Sequence, residues 1–204
     1  MKKLALIAIT LIAATSFAAG KKETKQAAPA TAMNKMDVGG TLKWTGFGVG
    51  KSHGGDLTIK SGSIEMKGAE LVGGEFVLDM ASLKTGDSPK LEGHLKSADF
   101  FDVEKFKEGT FKITKVEVIK GAKPGSPTHN ITGDLTIKGK THPETFAATV
   151  TKEGKGFAAT ATTEIKDRTQ YDIVYNSAKF KAVSALGDKL IQDNIKVELA
   201  LKTK

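Results

Sequence analysis

The sequence predicts an all-β fold, a single antiparallel sheet of about eight strands closed into a barrel, with a short helical segment near one opening. Three observations carry this. From Thr41 onward apolar and polar residues alternate with a period of two, the mark of strands with one buried and one wet face. Glycine-bearing turns interrupt the alternation at hairpin spacing. Only one stretch departs from it for a helical spacing. Closure into a barrel leaves no exposed sheet edge. A two-sheet sandwich satisfies the same alternation and is the rival arrangement.

The strands read in order. Leu57 and Ile59 alternate with Asp56, Thr58 and Lys60; Ile64 and Met66 alternate with Glu65 and Lys67. Phe76, Leu78 and Met80 share a face opposite Val77 and Asp79. Phe111 and Ile113 are followed by Val116 and Val118, a one-residue change of phase that predicts a β-bulge. Ile131, Gly133, Leu135 and Ile137 form the next face, then Phe146, Ala148 and Val150, and last Ile195, Val197, Leu199 and Leu201. Turns are marked by Gly54-Gly55, Lys60-Ser61-Gly62, Gly73-Gly74 and Glu153-Gly154-Lys155-Gly156. The hexapeptide Gly55-Asp56-Leu57-Thr58-Ile59-Lys60 recurs as Gly133 to Lys138, which two similar amphipathic strands explain as well as a duplication does. The helix opens at Ser88-Pro89, an N-cap followed by proline at the first helical position. Leu91, Leu95, Ala98 and Phe101 then lie on one face, with Ser97 as a break that would set off a second short helix carrying Phe100 and Phe101.

The chain opens with a basic Met1-Lys2-Lys3, an apolar run from Leu4 to Phe17 and small residues at Ser16 and Ala18, the pattern of a signal peptide (1–18) cut after Ala18. Residues 19–36, rich in Ala, Lys and Thr without periodicity, read as a flexible tail, and 37–204 as the barrel domain. The expected location is therefore periplasmic, as a soluble protein and not a lipoprotein, since there is no cysteine to carry a lipid. The formal charge of +8 loses its weight in this division. Six of the 31 basic and one of the 23 acidic residues precede Asp37, which leaves the domain at +3. The strand lysines alternate with apolar residues among Asp and Glu and form no aromatic-interleaved basic stripe, so nucleic acid is not an expected partner.

Several chemistries are excluded. With no cysteine there is no disulfide, thiol nucleophile or Cys-ligated metal. Gly46 to Ser52 imitates a phosphate-binding loop, but the required first glycine falls on Thr45 and no long helix follows. The dinucleotide fingerprint fails at Lys51, and neither a Gly-x-Ser-x-Gly elbow nor His-Glu-x-x-His is present. His53, His94, His129 and His142 have no local metal-pair spacing, so no metal is expected; His53 and His94 read as bonding loop backbone. Arg168 is the only arginine. Two roles fit its planar five-donor fork, a structural tie to Asp79 or Glu164 and a pocket cation for a ligand head group.

In order along the chain stand Trp44-Thr45-Gly46, Ser52-His53-x-Gly55, Gly74-x-Phe76-x-x-Asp79-Met80, Leu91-Glu92-Gly93-His94-Leu95-Lys96-Ser97-Ala98-Asp99-Phe100-Phe101-Asp102-Val103-Glu104, Gly133 to Gly139, Asp167-Arg168 before Tyr171 and Tyr175, and Leu186-Gly187-Asp188. Together they resemble the YceI-like family of exported lipid- and polyisoprenoid-binding proteins, from about Thr41 to Leu201. The resemblance implies a lipocalin-like barrel holding a long apolar chain, a periplasmic carrier or binder without catalysis. Two positions depart from the family's pattern: Lys107 stands where proline often follows Phe106, and Asp172 where glycine is usual.

On this reading no cofactor is needed, and the ligand is an isoprenoid or fatty-acyl lipid. The expected lining is Trp44, Phe76, Leu78, Phe100, Phe101, Phe111, Leu135, Ile137, Phe146, Phe157 and Tyr175, with Tyr171 and Arg168 at the head group. The implied partners are the lipid and, transiently, the membrane or a membrane protein; the oligomeric state stays open, a dimer included. A filled barrel serving as an exported stress or protein-interaction module is the alternative, because the same residues would then form an ordinary core. An enzyme acting on lipids is the other rival, and for it the sequence offers no nucleophile–base pair.

Overall fold

The computed structural model describes residues 33–204. The expected signal peptide (1–18) and residues 19–32 of the expected tail lie outside them. Eight strands follow one another: β1 (Met33–Gly48), β2 (Lys51–Lys67), β3 (Glu70–Asp79), β4 (Glu108–Val118), β5 (His129–Ile137), β6 (Lys140–Glu153), β7 (Gly156–Ile165) and β8 (Ile191–Thr203). Each pairs antiparallel with the next and β8 returns to β1, so the sheet is a closed up-and-down barrel rather than a sandwich.

Strand β1 takes in the last four residues of the expected tail. Met33 to Met36 pair with Lys67 to Ile64 of β2, because Met36 is in phase with buried Val38 and packs with it at that end of the barrel. The change of phase in β4 is a bulge: Ile113 faces Gly133, and the next partners are Lys115 and Thr132. The two copies of the hexapeptide lie in β2 and β5, and their glycines serve different ends. A Cβ on Gly55 would lie 1.8 Å from the Lys84 carbonyl oxygen, which crosses the strand there to accept from Asp56 N–H. A Cβ on Gly133 would lie 2.4 Å from the Phe111 ring, which lies across it.

The two ends of the barrel are built differently. One carries the short connections Gly68-Ala69 and Gly154-Lys155 and the loop 119–128. The other is covered by the two long connections, 80–107 and 166–190. In the first, Ser88 caps α1 (Pro89–Lys96) by accepting from Leu91 N–H, and Ser97 ends it; residues 98–101 are turns rather than a second helix. In the second, Asp167 caps a 3₁₀ turn (Arg168–Tyr171) by accepting from Thr169 N–H, and a one-turn helix α2 (Val183–Leu186) follows. The 3₁₀ turn ends on Asp172 with φ of 60°, a left-handed conformation that glycine adopts freely and Asp tolerates.

Buried residues fall into two clusters, one per end. Leu83, Leu95, Phe100, Tyr171 and Ile173 fill the capped end, joined by strand residues such as Leu42 and Leu135. Val38, Met66, Leu71, Phe76 and Ile131 fill the other. The outward lysines are dispersed against acids, Lys43 on Asp56, Lys60 on Glu108 and Lys202 on Glu153. Such exposed pairs add little stability.

Candidate ligand cavity

Between the two clusters the barrel is hollow. A cavity with about 180 Å³ of room for water-sized spheres runs along its interior, where a single water needs roughly 10–15 Å³ on the same measure. Its wall comes from the inward face of every strand, with exposed Thr160 and Glu164 bordering it from the outer face of β7. The strands β2 to β5 contribute large side chains such as Leu57, Phe76, Phe111 and Leu135, whereas β6 and β7 contribute Ala148, Ala159, Ala161 and Thr163. Those small side chains make the room. Four of the thirty lining residues are polar, Glu144, Thr160, Thr163 and Glu164, and all four lie on β6 or β7.

The ladder is also incomplete between these two strands. Bonded partners run only from Ala148↔Ala161 to Glu153↔Gly156. Toward the capped end, Thr141 to Ala147 pair with β5 alone and Thr162 to Ile165 with β8 alone. The 3₁₀ turn bridges the top of this gap: His142 Nε2–H donates to the Gln170 carbonyl at 3.0 Å, and Tyr171 Oη donates to Glu144 Oε1 at 2.9 Å. Burial, reinforced by Glu144, pushes the Tyr171 phenol well above its ordinary pKa, so it stays a donor.

Of the residues expected to line the ligand, Trp44, Phe76, Leu78, Phe101, Phe111, Leu135, Ile137 and Phe146 do line the cavity. The structure places the other five elsewhere. Phe100 and Tyr175 pack against His94 in the capped end, with ring centroids 5.0 and 4.8 Å from the imidazole. Phe157 sits in a shallow pocket with Met36 and Met66 at the opposite end. Tyr171 is fully buried behind the wall and reaches the cavity only through Glu144.

Arg168 is a tie of the covering loop, with partners other than Asp79 or Glu164. It opens a 3₁₀ turn, and only 2% of its surface is exposed. Nη1 donates to the Ile173 carbonyl at 2.7 Å, Nη2 to those of Tyr175 (2.9 Å) and Ile191 (3.2 Å), and Nε to that of Gln192 (3.1 Å). Asp193 Oδ1 lies 3.5 Å away. Burial lowers its pKa and the Asp193 and Asp167 carboxylates oppose the shift; the guanidinium remains charged. With four of its five donors engaged by the chain itself and its side chain buried, it is not placed to meet a head group.

His53 and His94 also differ from expectation: His94 Nε2 bonds the Asp99 carboxylate (2.9 Å) and His53 Nδ1 lies 3.1 Å from the Asp87 carboxylate, neither meeting backbone. Among the described residues no group of His, Asp and Glu is arranged to hold a metal. What sequence reasoning passed over is Glu144 and the β7–β8 wall. The signal was present, since Glu144 is in phase with Phe146, Ala148 and Val150.

Comparison with known proteins agrees with this architecture. The model of the YceI-like domain matches residues 24–203. A UPF0312 protein of Pseudomonas putida (strain W619) is 40% identical over 98 residues, 44% of this chain and 48% of that protein. The match thus spans about half the length of this curated relative. Among solved structures, BcnA of Burkholderia cenocepacia superposes with a TM-score of 0.64 at 21% identity, over 81% of this chain and 96% of its own. A polyisoprenoid binding domain from Saccharophagus degradans, implicated in plant cell wall breakdown, gives 0.58 at 12% identity, over 85% and 99%. At these identities the structures speak for the fold. The family match spans nearly the whole chain, and the chain belongs to the YceI-like domain family.

Proposed function

We propose that this protein binds and carries a long-chain apolar molecule, a polyisoprenoid, isoprenoid quinone or fatty-acyl lipid, inside the barrel without chemically altering it. The observation that carries the reading is the cavity, hollow and walled almost wholly by apolar side chains. Each CH₂ moved from water into such a wall contributes roughly 0.8 kcal/mol, so a long chain binds tightly with few polar contacts. A barrel working only through its loops has no use for this void, which forfeits packing around its lining. The name of the Saccharophagus domain points to the same ligand class. The basic start and apolar run of the N-terminus support export to the periplasm, where a carrier would meet the membrane or a membrane protein transiently.

Native mass spectrometry of the protein purified from an exporting host tests this directly. The expected spectrum shows a chain beginning at Ala19 with an added lipid mass that organic solvent removes. A protein that neither co-purifies with lipid nor takes up added isoprenoid would sink the carrier reading.

A further inference from the structure

We propose that the polar rim at the gap between β6 and β7, centred on Glu144, seats the polar end of the ligand and selects a hydrogen-bond donor without negative charge, such as a hydroxyl or an ammonium, over a carboxylate or phosphate. The proposal rests on the carrier reading above and specifies its ligand. A molecule buried in this cavity meets apolar side chains everywhere except along one line, where the wall lacks its inter-strand ladder. There it meets Glu144 and Thr163. Thr160, laddered to Thr149, and Glu164 are exposed and out of phase with inward Ala159, Ala161 and Thr163, and border the cavity from the outer face. Continuing the register of the ladder puts Phe146 across from Thr163 and Glu144 across from Ile165, so the carboxylate enters an otherwise oily wall.

The charge at this rim is of one sign. No Lys, Arg or His is among the cavity-lining residues. Arg168 is held by loop carbonyls. His142 points its Nε2–H at Gln170. Lys196, the ladder partner of Glu164, has its ammonium 3.1 Å from Glu198 instead, and Glu164 accepts from Asn194 at 2.6 Å. Glu144 Oε1 accepts from Tyr171, while Oε2 has no hydrogen bond among the described residues. An acceptor-only carboxylate with an open oxygen rewards a donor. A second anion beside it in a low-dielectric wall is repelled with little screening. The hydroxyl of Thr163 supplies a donor for neutral groups but cannot neutralise an anion.

The test uses the single tryptophan. Trp44 lines the cavity, so its emission reports occupancy. Hexadecanol, hexadecylamine, palmitate and hexadecyl phosphate share one chain and differ at the end. The expected result is that the alcohol and the amine bind at least about tenfold more tightly than the acid and the phosphate, a difference set by like-charge repulsion. Glu144→Gln should bring palmitate close to hexadecanol, whereas Glu144→Asp, which keeps the charge, should preserve the discrimination. Either anion binding the wild type as tightly as the alcohol overturns the head-group assignment and leaves the carrier reading standing. So does discrimination that survives in a folded Glu144→Gln protein. If none of the four probes alters Trp44 emission, the carrier reading itself falls.

Discussion

Arg168 shows how much one side chain holds at the covered end. Its fork joins the carbonyls of Ile173 and Tyr175, within the covering loop, to those of Ile191 and Gln192, at the start of β8. Truncation leaves four carbonyls and the Asp193 carboxylate without their cation. Arg168→Ala is therefore expected to cost about 3–5 kcal/mol. Arg168→Lys should cost most of the same amount, because three donors on one nitrogen cannot span four acceptors. Urea unfolding followed by Trp44 emission measures this. If either variant instead keeps full stability and loses ligand affinity, the side chain is a head-group contact after all. The sequence singled out this residue by its rarity among 31 basic residues, but carbonyl oxygens leave no mark in a sequence, so its partners were not legible. Glu144 is the reverse case. Its inward direction follows from the phase of Phe146 and Ala148, and only the expectation that carboxylates face water hid it.

Among the elements, β6 and β7 decide whether the barrel is hollow. On β3 to β5 the inward positions hold Phe76, Phe111 and Leu135, while β7 offers Ala159, Ala161 and Thr163. Ala161 faces Ala148 on one side and Leu199 on the other, where a larger side chain has room to extend into the void. Ala161→Phe is expected to weaken ligand binding by about tenfold or more while changing stability by no more than about 1 kcal/mol, since regained contacts offset crowding. Thr162→Phe, one residue along and exposed, should change neither, because successive strand residues face opposite sides. Titration of both variants with hexadecanol checks this, and undiminished binding in Ala161→Phe would mean the ligand lies outside the barrel. The bulge in β4 and the Ser88 cap were legible because each is a local signature. Gly54-Gly55, Lys60-Ser61-Gly62 and Gly73-Gly74, expected as turns, lie within β2 and β3, where glycine admits a close neighbour instead of turning the chain. The gap beside β7 was not legible either. Alternation continues unbroken through Thr163 and Ile165, and it reports which face a residue takes, never whether the neighbouring strand is bonded to it.

At the scale of the whole molecule, the barrel has a packed cluster at each end and a void between them, so a bound chain would touch both clusters at once. Without cysteine, nothing covalent compensates for the contacts the void forgoes. Ligand binding should therefore appear as stability of the entire cooperative unit. A ligand binding only the folded state at a free concentration of 100 times its Kd adds about 2.7 kcal/mol. For a domain of this size each kcal/mol moves the melting temperature by roughly 2–4 °C, so a rise of about 5–10 °C is expected on adding hexadecanol to delipidated protein. The rise should survive an increase in ionic strength, because it comes from apolar burial within the wall and not from the dispersed lysines outside it. In Ala161→Phe it should fall by about half or more, since tenfold weaker binding leaves only about 1.4 kcal/mol at the same ligand concentration. A rise that disappears in high salt and persists undiminished in that variant would instead mark lipid adsorbed to the outer surface, and the hollow barrel would then have no part in binding.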